Sequence, residues 1–170
     1  MAEQTAPGHE ELRQMNASMA ERILGAADQP LVEGSYALRV LETAGRVSGR
    51  PRRTPVGLVQ LSDRHFVVAP DQQRDWVRNL DAHRRCRVLT SDSGTSHAAE
   101  PVTGREGAEV VATYLRAMQA PWVWQSFSVP EDASADEIRP RMDALAVFHL
   151  RPEEVRRRAR RVHPRTRADA

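Results

Sequence analysis

Four arginines, two glycines and two prolines fall within Gly45-Arg46-Val47-Ser48-Gly49-Arg50-Pro51-Arg52-Arg53-Thr54-Pro55, with no acid among them. Guanidinium groups grip phosphate and carboxylate oxygens in pairs. Glycine lets backbone N–H groups face an anion with no side chain in the way. The stretch therefore reads as a turn that holds an anion, with Arg46 and Arg52 as the clamp and Ser48 and Gly49 beside them. Strand alternation sends Arg50 and Arg53 to less favourable positions. A solvated hairpin with its arginines in water is the competing reading.

Other chemistry-bearing residues lie further along. Trp122, Trp124 and Phe127 are three of only eight aromatics. They could wall a pocket for a planar substrate or plug the core. Tyr114 and Tyr36 are the only phenols that could donate a proton, and Tyr114 falls on an apolar helix face. His65, His97 and His149 lie in three separate expected strands and could meet around haem iron or a metal. No pair has metal-ligand spacing, so no metal site is expected. The single Cys86 rules out an internal disulfide and reads as a small core residue.

The elements that must position these residues follow from periodicity. Leu12, Met15, Met19, Ile23 and Leu24 recur at helical spacing, so a helix is expected over 9–26, followed by a linker through Pro30. Strands are expected over 36–43, 54–61, 65–69, 86–90, 96–102 and 144–150. Asp75 is expected to cap a short helix carrying Trp76, Val77 and Leu80. Thr103 and Glu106 suggest a capping box for a helix over 104–119. Residues 122–141 read as irregular, and Pro152 as the start of a short terminal helix. Short turns between strands imply antiparallel pairing. The fold expected is mostly β with flanking helices: a six-stranded antiparallel barrel. Residues 1–30 form the N-terminal helix and linker, 31–152 the barrel and 153–170 a basic tail.

The net charge is +2, but the tail from Arg151 to Ala170 carries +5, which leaves −3 for the remainder. A basic fold is thus excluded, and no nucleic-acid partner is expected. All 25 basic residues are arginine, a pattern that fits a GC-rich genome. With no long apolar run and no visible signal segment, a cytoplasmic location is expected.

Thr43, Gly45, Arg46, Ser48, Gly49, Pro51, Arg52, Pro55 and Val56 form one motif. Trp76, Asn79, Leu80 and Ala82 form a second at the right separation. Together they resemble the deazaflavin (F420)-dependent nitroreductase family. The resemblance is clear over 36–102 and looser to Leu150. It implies the split β-barrel shared with flavin-dependent oxidases, a homodimer, and hydride transfer from F420 to a planar quinone, nitro compound or enone. The coenzyme carries a phosphodiester and a glutamate tail. The resemblance places it against Arg46, Ser48, Gly49, Arg52, Pro55 and Val56, with Arg74 as a stand-in for a missing lysine. Tyr114 is then the candidate catalytic proton donor, and Trp122, Trp124 and Phe127 the substrate wall. The chain departs from the family pattern after its third strand. Only Pro70 to Asp75 precede Trp76, without the usual Ser-Lys-Gly-Gly, and Val47 stands where lysine is frequent. These departures leave FMN, haem or no redox cofactor open as the alternative, with the barrel retained for a small planar ligand.

Overall fold

The computed structural model describes residues 9–118 and 121–153. Its elements are α1 (His9–Leu24), β1 (Tyr36–Ala44), β2 (Pro51–Leu61), β3 (Arg64–Ala69), α2 (Asp75–His83), β4 (Arg85–Leu89), β5 (Gly94–Pro101), α3 (Gly104–Met118), α4 (Pro121–Ser126), α5 (Ala135–Ile138), a 3-10 turn (Arg139–Arg141) and β6 (Ala146–Pro152). The six strands close into a barrel in the order β1-β2-β3-β6-β5-β4, antiparallel throughout. The expected six-stranded antiparallel barrel is what forms. β6 returns after the long excursion from α3 and inserts between β3 and β5, which removes the open edges.

Strand alternation sorts side chains into layers. Leu41, Val56, Leu58, Val67, Phe148 and Leu150 make an inner cluster, joined by Trp76, Val77 and Leu80 from α2. On the outer face, Val110, Val111 and Leu115 of α3 pack with Phe66, Val68 and Val147. Leu115 is fully buried, which contributes about 1.5–3 kcal/mol. α1 docks through its C-terminal half alone: Ala20, Ile23 and Leu24 meet Val40 and Leu89, while Leu12 and Met15 stay exposed. The β2–β3 hairpin turns at Ser62 and Asp63, both with positive φ. The Glu33 carboxylate accepts the N–H groups of both (2.6 and 3.2 Å), tying the α1–β1 linker to this turn.

Several local expectations change. Residues 122–141, read as irregular, contain most of α4, α5 and the 3-10 turn. Their sequence gives little periodic signal, and α5 is fixed by a capping box between Ser134 and Glu137. Glu106, expected to reach back to Thr103, pairs with Arg64 of β3. Arg74 holds the N-cap position of α2, and Asp75 is its first helical residue. Pro152 ends β6 opposite His97, where the last residue of a strand tolerates a missing N–H, and the short helix expected from it lies outside the described residues. The tail from 154 onward lies outside the described residues.

Candidate functional site

The Gly-Arg stretch closes the β1–β2 hairpin. Gly49 adopts a positive φ of 65°, which favours glycine. At Gly45 a Cβ would lie 2.8 Å from Ser48 Oγ and 3.3 Å from the Arg50 carbonyl, so the loop folds tightly across this residue. The loop then satisfies its own donors. Gly45 N–H donates to the Arg50 carbonyl (2.9 Å) and Gly49 N–H to the Gly45 carbonyl (2.7 Å). Arg50 N–H donates to Ser48 Oγ (3.3 Å). These N–H groups were expected to face an anion. They close the turn instead.

Asn79 of α2 fixes this loop from below. It is buried, and its Nδ2 donates to Thr43 Oγ1 of β1 (3.0 Å). Its Oδ1 accepts from the Arg46 backbone N–H (3.0 Å) and, at longer range, from Arg46 Nη1 (3.4 Å). Arg46 Nη1 also donates to Asp75 Oδ1 at 3.0 Å. One amide therefore joins α2, β1 and the hairpin loop, and it aims Arg46 along the α2 N-terminus. Asn79 thus ties α2 to β1 through a side-chain partner.

Above this hub lies a cleft of about 870 Å³. Its walls come from the hairpin (Gly45 to Ser48, and Pro51 to Thr54), from α2 (Asp75, Trp76, Asn79), from Glu42 and from one face of α1 that includes Arg13, Asn16 and Glu21. The cleft contains four arginines, and three are committed. Arg13 faces Glu10 (3.6 Å), Arg46 faces Asp75 (3.0 Å) and Arg53 faces Glu42 (2.9 Å). Among the described residues, Arg52 has neither an ion pair nor a hydrogen bond. It is the cleft's uncommitted cation.

Of the sequence-selected coenzyme residues, Arg46, Ser48 and Arg52 line this cleft. Gly49 shapes the loop behind it. Pro55 and Val56 lie further along β2, Val56 in the inner cluster. Arg74 pairs with Asp71 (3.1 Å) and does not line the cleft. Tyr114 packs on the outer layer against Gly57, 5.8 Å from the Phe127 ring and 6.1 Å from the Tyr36 ring. Burial, with the neighbouring Tyr36, pushes its phenol up to about 12. Trp124 and Phe127 are buried in the outer cluster with α3. Trp122 falls in α4, and its side chain lies outside the described part. Sequence reasoning missed Glu42 and Thr54, which only strand pairing brings to the cleft.

The histidines occupy the barrel wall. Burial is the main cause that holds both His65 and His97 below the ordinary imidazole range. His149 and Arg39 add repulsion at His65, and His65 adds it at His97. Among the described residues, no three His, Cys, Asp or Glu side chains form a group that could hold a metal. Burial pushes the Cys86 thiol up to about 12, so it is an unreactive core group. No described helix is long and apolar enough to cross a membrane.

The fold is a closed six-stranded antiparallel barrel with an arginine-bearing hairpin cleft. Residues 13–127 match the family described as F420H(2)-dependent quinone reductase. The chain belongs to that family. No curated protein sequence matches it significantly. A protein of unknown function from Agrobacterium tumefaciens shares the fold at 16% identity and TM-score 0.51, over 91% of this chain and 58% of that one. An F420-H2 dependent reductase aligns at 17% identity and TM-score 0.44, over 72% of this chain and 98% of that one. The haem storage protein HutZ from Vibrio cholerae aligns at 16% identity and TM-score 0.47, over 69% and 82%.

Proposed function

We propose that the cleft binds F420 and that the protein passes a hydride from its reduced form to a planar acceptor such as a quinone, nitro compound or enone. Arg52 carries this reading: an uncommitted guanidinium faces a cleft large enough for a drug-sized planar coenzyme. The residues present fit the group. Gly45 and Gly49 keep the hairpin compact, Arg52 offers paired donors to a phosphate, and Trp76 and Thr54 supply wall surface beside it. When bound, the reduced deazaflavin supplies the hydride.

The chain's own contribution is binding and orientation. Arg52 anchors the anionic end. Asn79 and Asp75 hold Arg46 still, so the rim of the cleft is pre-set before binding. Arg53 and Arg87 hold the Glu42 carboxylate below its ordinary range, so it stays ionised and has no proton to give. Tyr114 lies outside the cleft lining. The test is anaerobic mixing of reduced F420 with a soluble quinone and the protein, following return of the oxidised coenzyme's visible absorbance. Catalysed oxidation supports the reading. A rate equal to the protein-free reaction, for quinones and nitroarenes alike, contradicts it.

A further inference from the structure

Glu42 stands on β1 directly opposite Arg53 of β2 and directly opposite Arg87 of β4. Its Oε2 accepts from Arg53 Nε and its Oε1 from Arg87 Nη1, each at 2.9 Å. The carboxylate is largely covered, with 12% of its side chain exposed, while Arg53 and Arg87 remain 56% and 49% exposed. Burial pushes the Glu42 carboxyl up, but the hydrogen bonds and charges of the two arginines outweigh it and hold it below the usual range. β5 makes room for this row: a Cβ on Gly94 would fall 2.5 Å from Arg87 Nη2.

The row is a poor device for stability. An exposed ion pair contributes about 0 to 1 kcal/mol, and one carboxylate between two guanidiniums leaves a net positive charge. What it achieves is orientation. Each arginine gives one donor to Glu42 and stays about half exposed, on a row that begins in the cleft at Glu42 and Arg53 and leads onto β4. Oriented, half-exposed guanidinium groups with surplus positive charge suit carboxylates.

We propose that the Arg53–Glu42–Arg87 row is a carboxylate-binding subsite that extends the cleft beyond Arg52 and takes the glutamyl carboxylates of the coenzyme tail. This rests on the functional reading above, which puts the phosphate at Arg52. Arg53 and Arg87 touch the ligand. Glu42 positions them.

The experiment compares two probes by fluorescence titration: F420 carrying several glutamates, and the same phosphate-bearing deazaflavin without glutamates. Arg87 is the informative site because it does not line the cleft itself. Arg87→Gln is expected to weaken the glutamylated form by about two- to fivefold, the range of one exposed charge pair, and to leave the form without glutamates unchanged. The difference should fade at high salt. Arg52→Ala should weaken both forms. If Arg87→Gln changes both equally or neither, the subsite is overturned while the phosphate assignment stands. If the parent protein binds neither form, both readings fall. Because Arg87 is half exposed, the substitution should fold, and thermal denaturation checks this.

Discussion

Replacing Asn79 by alanine removes the amide that joins α2, β1 and the hairpin loop. Two well-formed hydrogen bonds go, to Thr43 Oγ1 and from the Arg46 N–H, both at 3.0 Å, with the longer Arg46 Nη1 contact. A net value of about 0.5–1.5 kcal/mol each gives about 1–3 kcal/mol, towards the upper end because the Thr43 hydroxyl is left buried. For a protein of this size each kcal/mol moves the melting temperature by about 2–4 °C. Asn79→Ala should therefore melt roughly 4–12 °C below the parent. Asn79→Asp separates stability from binding. One carboxylate oxygen still accepts from Arg46, and the Thr43 hydroxyl can rotate to donate to the other. Stability should be largely kept, but a second negative charge then sits on Arg46 beside Asp75. The added charge offsets Arg46 at the rim of the cleft, so F420 should bind more weakly than to the parent. Thermal denaturation and coenzyme titration of the two variants read these effects. The hub argument is wrong if Asn79→Ala melts with the parent, or if Asn79→Asp binds F420 as tightly as the parent.

Two further outcomes follow from the fold. Gly57→Ala would place a Cβ 2.8 Å from Tyr114 Cε2 and 3.3 Å from Tyr36 Cδ2, so both rings must shift; chemical denaturation should show a loss of about 1–3 kcal/mol, and an unchanged midpoint would argue against this packing. His65 and His97 titrate below their unfolded value, mainly through burial, so the unfolded chain binds more protons once pH falls below ~6.5. Stability should therefore hold at neutral pH and decline as pH drops through that value, and His97→Gln should flatten the decline; a melting temperature that rises over the same interval would contradict the assignment.

The barrel was legible because its strands carry period-two patterns with short turns, and hairpin registers follow from turn length. The helices after α3 were not legible. α4 and α5 are short and aperiodic, and they exist because Trp124, Phe127 and Ile138 find a cluster with α3. Spacing could not reveal that the loop N–H groups bond to the loop itself, since that depends on the fold of six residues. The Glu42 row was equally hidden. Arg53 and Arg87 lie 34 positions apart in the sequence, and only the β2-β1-β4 order places both opposite one carboxylate.

The central claim is that Arg52 is the free cation that anchors the anionic end of F420. Its most direct test is fluorescence titration of the parent and of Arg52→Ala with F420. The account predicts saturable binding to the parent and a loss of about 1.5–3 kcal/mol, roughly ten- to a hundredfold, in a variant that melts with the parent. Equal affinity for both proteins would contradict it.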